Sequence, residues 1–460
     1  MKIYDVIIIG GGPAGLFTSL ELVKEIDGLK ILLLEKGKNI RERLCPIGKY
    51  GSKCLNCKPC SITCGIGGAG AFSDGKLTLT SDFGGVLDEY LEKSELNEFV
   101  RYVDDIYVKF GATTEVHGTD KEKIREIERR AAAADLKLIP AAIKHLGTEK
   151  CYDIIKNIED YLRDKIEIKT KTTVSKILVK DKKAYGVETE DGKIYTGKYI
   201  VVVPGREGAE WFKEEANRIG LETKNNAVDI GVRVEIPAVV MEDITKEIYE
   251  SKFIYHSKLF DDRVRTFCMN PYGKVVVENN NGLKIVNGHS YKDIKTDNTN
   301  FALLVSKEFT EPFNQPIAYG RYIAALANML GDGVLVQRLG DFLSGRRSTP
   351  ERLKRGLVEP TLKDATPGDL SLVLPYRFLQ SIIEMLQALD KVSPGVFSKH
   401  TLLYGVEVKF YSSRVKLTNN FETQVKNLFA AGDGAGITRG LVQASISGVV
   451  VAREILNRIK

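Results

Sequence analysis

The residues best suited to chemistry are cysteines crowded into one short segment. The spacing C-x2-C-x2-C-x3-C is formed by Cys54, Cys57, Cys60 and Cys64. This spacing is typical of iron–sulfur ligands in bacterial ferredoxins, although Gly65 stands where proline usually follows. An iron–sulfur centre would take Cys54, Cys57 and Cys60, with Cys64 or Cys45 as the fourth ligand. Structural zinc is a second interpretation, and free or redox-active thiols are a third, since the chain lacks a second set of four ligands.

A glycine-rich turn near the start of the chain indicates a different chemistry, the binding of a pyrophosphate. The apolar residues 6–9 predict a buried parallel strand. They run into a turn made of Gly10, Gly11, Gly12, Pro13, Ala14 and Gly15. In the G-x-G-x-x-G pattern, Gly10 permits the tight turn, Gly12 lets a pyrophosphate approach the backbone, and Gly15 lets helix and strand pack closely.

Three elements must position this turn: the strand before it, a helix after it and a second strand. The helix N-terminus would present unpaired N–H groups and a partial positive charge to the phosphates. The second apolar run, residues 31–34, ends at Glu35, which has Lys36 beside it. An acid about twenty residues past the glycines accepts hydrogen bonds from a ribose in dinucleotide-binding folds. Strand, glycines, helix, strand and acid in this order predict a dinucleotide-binding βαβ unit, with Glu35 and Lys36 as candidate contacts.

The other end of the chain decides which dinucleotide is expected. Residues 428–436 read as a buried strand followed by a Gly/Asp turn, and an amphipathic stretch follows at 441–459. This resembles the second flavin motif of oxidoreductases whose FAD domain is like that of glutathione reductase. The resemblance implies that Asp433, next to Gly432, binds the ribityl chain. It also implies that the helix N-terminus at Leu441 faces the pyrimidine edge of the flavin, where it would stabilise negative charge on the reduced ring.

Two further segments match the same family. Residues 185–203 alternate as a meander and close on a strand that resembles one ending in Ala-Thr-Gly. In this chain Pro204 replaces the threonine and Gly205 follows. Val174 matches the strand whose backbone flanks the adenine. Three motifs in the right order make FAD the expected cofactor rather than NAD.

A second glycine-rich loop, residues 65–77, directly follows the cysteines. No apolar strand precedes it, so it is not a second βαβ fingerprint. We expect Gly68, Ala69 and Gly70 to lie along the FAD pyrophosphate or under the isoalloxazine ring, where close backbone approach requires glycine. The alternative is a plain surface loop.

Length and composition bound the class of protein. The chain of 460 residues suggests two or three domains, and its net charge of +6 is small against 67 Lys and Arg and 61 Asp and Glu. We therefore expect a mixed-sign surface and no nucleic-acid partner. Because the first strand begins almost at Met1 and no apolar run reaches eighteen residues, we expect a cytoplasmic protein without a signal peptide or membrane span.

The predicted fold is α/β: a discontinuous Rossmann-like FAD-binding domain, made of a parallel sheet and a β-meander, with two insertions. The FAD-binding parts are residues 1–84, 164–225 and 401–460. The insertions are a helical one at 85–163, in which Thr119 and Glu122 form a capping box and Cys151 is a core residue, and an α+β substrate or cap domain at 226–400. The cap has no G-x-G-x-x-G pattern after a strand, so we expect no second Rossmann domain to hold NAD(P)H. A nicotinamide would therefore visit the flavin only transiently.

Over its whole length the chain resembles the poorly characterised prokaryotic FAD-dependent dehydrogenases. The matching segments are 67–77, 267–271, 337–342 and 432–436. The resemblance implies fold and cofactor but no substrate.

The leading hypothesis is an FAD-dependent oxidoreductase in which a small molecule bound under the cap exchanges hydride with flavin N5. No constellation marks a catalytic base. The candidates by type are Lys76, Cys268, and Arg346 within a Ser-Gly-Arg-Arg-Ser segment that could clamp an anion, besides three histidines, His145, His256 and His289. One alternative is an iron–sulfur flavoprotein passing single electrons to a carrier. Another is an FAD-bound nucleic-acid or partner-binding protein with a structural flavin.

Overall fold

The structure is a computed structural model that describes residues 3–45, 57–73, 75–280, 282–290, 295–309, 312–313, 315–410 and 413–460. The chain divides into two compact units. The first unit contains residues 1–115, 144–226 and 412–460, and the second contains 116–143 and 227–411.

The helices are numbered along the chain. They are α1 Pro13–Glu25, α2 Lys93–Lys109, α3 Lys121–Ala132, α4 Thr148–Arg163, α5 Ala209–Arg218, α6 Ala238–Thr245, α7 Pro316–Gly331, α8 Leu339–Leu343, α9 Pro350–Lys354, α10 Tyr376–Val392 and α11 Leu441–Ile459. Short 3-10 turns include Gly68–Phe72, Arg206–Gly208, Leu370–Leu372 and Asp433–Ala435. None of the described helices is both long enough and apolar enough to cross a bilayer.

The strands are likewise numbered along the chain. They are β1 Ile3–Ile9, β2 Ile31–Leu34, β3 Lys76–Thr78, β4 Lys137–Ile139, β5 Ile143–His145, β6 Glu167–Lys169, β7 Val174–Lys180, β8 Lys183–Thr189, β9 Ile194–Val202, β10 Thr223–Lys224, β11 Val228–Pro237, β12 Lys252–His256, β13 Arg263–Asn270, β14 Lys274–Asn280, β15 Leu283–His289, β16 Asn298–Lys307, β17 Leu335–Arg338, β18 Thr366–Pro367, β19 Leu402–Lys409, β20 Arg414–Val415 and β21 Leu428–Ala430.

The first unit is built on a seven-stranded sheet with the order β6-β2-β1-β9-β8-β7, in which β21 also pairs with β9. The strands β6, β2, β1, β9 and β21 are parallel, and β7, β8 and β9 form the antiparallel meander. The residues from Val6 to Ile9 are at most 6% exposed, as expected for a parallel strand with both faces covered. Helices α1 and α11 pack closely on each other. A Cβ at Gly448 of α11 would lie only 2.1 Å from the carbonyl oxygen of Ala14 in α1. The predicted parallel sheet and meander are therefore present.

The second unit is built on an eight-stranded sheet with the order β18-β17-β19-β11-β16-β13-β12-β4. Its pairs are antiparallel except for β17 with β18. Nine of the ten residues of the central strand β11 are buried, because helices α7 and α10 pack on this part of the sheet. The α+β character expected for the substrate or cap domain is thus observed.

Three details differ from the sequence analysis. Strand β19 pairs with β11 and β17 in the second unit, so this unit extends past the boundary predicted at 401. Residues 116–143 also belong to the second unit, where β4 pairs with β12; a three-residue strand is too short to show a period in the sequence. Helix α3 is capped by Asp120 rather than by Thr119, since the Asp120 carboxylate accepts from the Glu122 and Lys123 N–H groups.

Candidate functional site

The glycines of the first turn are needed for different reasons. At Gly10 the backbone φ is +116° and a Cβ would lie 2.2 Å from the Val203 carbonyl oxygen; at Gly15 it would lie 2.0 Å from the Gly10 carbonyl oxygen. Packing within the protein therefore excludes a side chain at both positions. At Gly12 a Cβ would meet nothing closer than the Gly68 Cα, at 4.0 Å. The protein itself leaves room at Gly12, which is where the sequence predicts the approach of a pyrophosphate.

Helix α1 starts at this turn with its positive end uncompensated by side chains. Gly12 is the N-cap and has no side chain to accept from the first N–H groups, Pro13 is the first helical residue, and the first turn contains no acid. The first N–H groups of a helix have no partner inside the helix, and together with the helix dipole they favour an anion. This end of α1 suits the phosphates of a dinucleotide.

The carboxylate of Glu35 lies beside the same turn and is 7% exposed. Its Oε2 accepts from the Gly11 N–H at 2.7 Å, and its Oε1 accepts from the Gly37 and Gly65 N–H groups at 2.8 and 3.0 Å. A carboxylate offers about four acceptor sites, so Oε2 can accept one more donor. Glu35 thus anchors three backbone segments and still fits a hydroxyl group such as that of a ribose.

The strand expected to flank the adenine is held next to this acid. The Lys171 N–H donates to the Gly37 carbonyl oxygen at 2.7 Å, and the Thr172 N–H donates to the Glu35 carbonyl oxygen at 3.0 Å. Val174 follows and is 5% exposed. On the other side of the acid, the Lys36 ammonium donates to the Glu207 carbonyl oxygen at 3.2 Å.

The second glycine-rich loop lies directly on the first. The Gly67 N–H donates to the Gly11 carbonyl oxygen at 2.7 Å. A Cβ at Gly68 would lie 3.2 Å from the Gly12 Cα, and one at Gly70 would lie 2.3 Å from the Leu441 side chain at the start of α11. The structure therefore brings together three segments that are far apart in the sequence: the turn at Gly12, the loop at Gly68 to Gly70 with Ala69 between them, and the N-terminus of α11.

The Gly/Asp turn that ends β21 completes this arrangement. A Cβ at Gly432 would lie 3.3 Å from the Ala14 Cβ, and one at Gly434 would lie 2.2 Å from the Gly205 carbonyl oxygen. The Asp433 carboxylate accepts from the Thr438 hydroxyl at 2.8 Å and lies 3.4 Å from the Arg206 Nε. Burial raises the pKa of Asp433, and the Arg206 guanidinium and the Thr438 hydroxyl partly oppose this.

Arg43 is a site residue to which the sequence analysis gave no role. It is 1% exposed, and its guanidinium donates to three carbonyl oxygens, those of Ser61 at 3.0 Å, Ile62 at 2.7 Å and Ile66 at 2.6 Å. Its guanidinium carbon also lies 4.8 Å from the centre of the Phe72 ring. Burial lowers the pKa of Arg43 to about 10, although the Glu35 carboxylate opposes this. Arg43 ties the end of the cysteine segment to the second glycine loop, and no spacing in the sequence signals this.

The cysteines are only partly described, because Cys54 lies outside the described residues. Cys57 is exposed, Cys45 and Cys60 are half-buried and Cys64 is 4% exposed. Burial raises the pKa of Cys64, with Lys36 and Thr63 opposing. Among the described residues, no three His, Cys, Asp or Glu side chains are grouped so as to hold a metal ion. The described cysteines alone therefore do not form either of the two metal sites, iron–sulfur or zinc, that were alternatives to free thiols.

The catalytic candidates are distributed over both units. Lys76 begins β3 and is half-buried. Cys268 is half-buried in β13 with a φ of +49°, and its carbonyl oxygen accepts from Arg233 and from Asn270. The Arg346 Nε lies 3.1 Å from a carboxylate oxygen of Asp341, so this guanidinium already has an anionic partner in the segment expected to clamp a substrate.

A buried charge cluster in the second unit was missed by the sequence analysis. Arg233 and Glu407, both completely buried, form a bidentate pair at 2.7 and 2.9 Å, and Lys409 lies 3.0 Å from the same carboxylate. Arg233 also donates to the Asn300 side-chain oxygen at 2.8 Å. Burial alone would raise the pKa of Glu407, but Arg233 and Lys409 lower it below its usual value. Alternation in β11 and β19 hides the pair, because Arg233 and Glu407 fall on the polar side of each strand, which the pattern predicts to be exposed to solvent.

Comparison with known proteins gives one family match and several distant similarities. Residues 227–410 match the family described as "FAD-dependent protein, C-terminal domain-like", a range that nearly coincides with the larger segment of the second unit. An uncharacterized protein of Clostridium beijerinckii is 28% identical over 98% of this chain and 80% of its own length. Two solved structures are similar at lower identity. Glycine oxidase from Bacillus cereus is 14% identical with a TM-score of 0.38, over 99% of this chain and 95% of the other. L-proline dehydrogenase from P. horikoshii is 12% identical with a TM-score of 0.41, over 100% and 94%.

Proposed function

We propose that the protein is an FAD-dependent oxidoreductase whose first unit binds the cofactor. One observation carries this proposal: the Gly12 turn, the Glu35 carboxylate and the Asp433 turn converge where parallel strands β1 and β21 end. Open parallel sheets bind ligands outside the carboxyl ends of their strands. The family description of residues 227–410 supports FAD as the ligand.

Each part of the site has a role in this proposal. The Gly12 backbone and the N-terminus of α1 would hold the pyrophosphate, and Glu35 would accept from the adenosine ribose. The segment at Val174 would flank the adenine, Lys36 would lie beside Glu35, and Gly205 would lie beside the Asp433 turn. Asp433 would hold the ribityl chain. The pyrophosphate or the ring would rest against the second loop, and the pyrimidine edge would face Leu441. Bound FAD supplies hydride exchange at flavin N5, and the protein supplies orientation and charge stabilisation.

The substrate is proposed to be a small molecule, with a nicotinamide or a protein carrier as the second electron donor or acceptor. We further propose a cytoplasmic location and, on the charge balance of the sequence, no nucleic-acid partner. Since the described cysteines do not group into a metal site, an iron–sulfur centre is not included in the proposed function. Iron and sulfide analysis of anaerobically purified protein decides that point, because a cluster would give close to stoichiometric values of both.

The proposal is tested by anaerobic flavin bleaching. Protein reconstituted with FAD is mixed with candidate donors, including amino acids, hydroxy acids and NAD(P)H, and the flavin absorption is followed. We expect at least one donor to bleach the flavin, and the colour to return when an acceptor is added. A flavin that binds but is reduced by no donor, not even dithionite, would support a structural role. DNA binding that weakens steeply with salt would then favour the nucleic-acid alternative.

A further inference from the structure

A surface of the second unit combines exposed leucines with paired cations. Leu343, Gly345, Arg346 and Arg347 form one turn after α8, and Lys354, Arg355, Gly356 and Leu357 form a second turn after α9. We call these two turns the basic leucine turns. Each presents a leucine, a glycine and two consecutive cations, in opposite order along the chain.

The leucines of both turns are exposed to solvent. Leu357 is 79% exposed, more than any other exposed large apolar side chain among the described residues, and Leu343 is 47% exposed. The Gly345 N–H donates to the Phe342 carbonyl oxygen, and the Gly356 N–H donates to the Leu353 carbonyl oxygen, so both leucines lie at hydrogen-bonded turns. A single exposed leucine needs no explanation. Here two exposed leucines each lie next to a pair of cations, so the arrangement is repeated.

The two turns belong to one rigid piece of structure. Asp341 is completely buried and accepts from the Ser348 hydroxyl at 2.8 Å and from Arg346 at 3.1 Å. The Arg352 guanidinium donates to the Arg347 carbonyl oxygen at 2.8 Å, and its own carbonyl oxygen accepts from Arg338 at 2.7 Å. These bonds join the first turn to α9, which carries the second.

The charge of this piece is strongly one-sided. Residues 341–357 contain five basic residues and two acids, Asp341 and Glu351, which gives a net charge of +3 where the whole chain has +6. Arg347, Lys354 and Arg355 are exposed. The complementary partner is an anionic surface. The exposed leucines favour a lipid bilayer over a nucleic acid, since nucleic acids offer phosphates but no apolar layer beneath them. Cations flanking an exposed apolar tip match the headgroup and acyl layers of a bilayer.

We propose that the basic leucine turns dock the protein on an anionic phospholipid surface, with Leu357 entering the acyl boundary and Arg347, Lys354 and Arg355 contacting headgroup phosphates. The docking goes beyond the proposed flavin chemistry and does not depend on it. At physiological ionic strength it is a reversible, peripheral association, because two apolar tips and a few charges bind weakly compared with a spanning helix.

The test is flotation of the full-length protein with vesicles, of phosphatidylcholine alone or mixed with phosphatidylglycerol. We expect binding only to the mixed vesicles, weakening as salt is raised. The double variant Arg347→Gln/Lys354→Gln should bind about 25-fold more weakly, at about fivefold per cation near an anionic membrane. Leu357→Ser should bind about tenfold more weakly from the apolar area lost.

Matched variants control for charge and for exposed leucine. Lys213→Gln/Lys224→Gln removes two exposed cations from the first unit, and Leu259→Ser removes a leucine that is 57% exposed. Both controls should bind like the wild type, and all variants should keep the wild-type melting temperature. Failure to float with anionic vesicles at low salt would overturn the proposal, as would an equal loss in the controls. Binding to a DNA oligonucleotide but not to vesicles through these residues would replace the bilayer with nucleic acid.

Discussion

Gly12 and Gly15 lie three residues apart in one turn, yet replacing each with alanine should fail in a different way. A Cβ at Gly12 has free space out to 4.0 Å, whereas a Cβ at Gly15 would lie 2.0 Å from the Gly10 carbonyl oxygen. Gly12 has an extended backbone, with φ −75° and ψ −175°, that alanine adopts without strain. Gly12→Ala therefore fits the protein alone and should disturb only the bound cofactor.

The magnitudes follow from this geometry. Gly12→Ala restricts the unfolded chain and so raises the free energy of unfolding by about 0.4–1 kcal/mol. It also lowers the free energy of unfolding by a similar amount, because alanine is a poorer N-cap than glycine. Its net effect on the free energy of unfolding should be within about 1 kcal/mol. Gly15→Ala presses a methyl group against backbone and should cost about 3 kcal/mol. If the pyrophosphate packs on Gly12, the added methyl group should weaken FAD binding at least about tenfold, or 1.4 kcal/mol.

The assay compares apoprotein stability with FAD affinity. Urea unfolding gives the free energy of unfolding of each apoprotein, and quenching of flavin fluorescence during titration gives the dissociation constant. We expect Gly12→Ala to unfold like the wild type and to bind FAD poorly, and Gly15→Ala to be destabilised. Gly12→Ala with wild-type FAD affinity would refute the assignment of Gly12 to the pyrophosphate. Equal destabilisation by both variants would refute the packing argument.

Three further predictions rest on buried groups. Arg43→Met should lower the free energy of unfolding by more than about 3 kcal/mol, because three carbonyl oxygens lose a charged donor, and should expose the Cys64 thiol to Ellman's reagent. The control Arg41→Met breaks only an exposed pair with Asp160 and should leave the urea midpoint close to that of the wild type. Equal losses in the two variants would contradict the role of Arg43. Arg233→Met should lower the free energy of unfolding, measured in urea, by about 3–5 kcal/mol, since it leaves the Glu407 carboxylate buried without its bidentate partner. A loss below about 1 kcal/mol would show that Lys409 alone stabilises the buried carboxylate. Burial raises the pKa of Glu235 above its usual 4.5. The stability of the wild type relative to Glu235→Gln should therefore be greatest below pH 4.5 and should fall as the pH rises through the folded-state pKa. Urea midpoints over this range that show no such fall would contradict the raised pKa.

Much of the first unit could be predicted from the sequence because its signals are local. The strand at Val6, the glycine turn, Glu35 and the Asp433 turn each depend on a few neighbouring residues whose types fix the backbone. The order of these pieces along the chain was enough to predict a parallel sheet closed by a meander. Helix α11 was predicted for the same reason, since its apolar spacing is regular over three or more turns.

The features that were missed depend on contacts distant in sequence. Arg43 looks like a surface residue until the chain folds back to bring the Ser61, Ile62 and Ile66 carbonyl oxygens around it. Arg233 and Glu407 are 174 positions apart, and each falls on the polar side of an alternating strand, so the sequence pattern shows neither the burial of the side chain nor its partner. The stretch 279–287 has the Asn-rich composition that is typical of a loop, but β14 and β15 pair there, with Val275, Ile285 and Val286 buried.

Whether the first unit holds FAD can be measured from the identity and amount of the nucleotide that the protein binds. Protein purified gently, or reconstituted and then desalted, is denatured, and the released cofactor is identified by chromatography and mass spectrometry. We expect FAD in a one-to-one ratio with the chain. A protein that releases only NAD or FMN, or that remains colourless after incubation with FAD, would contradict it.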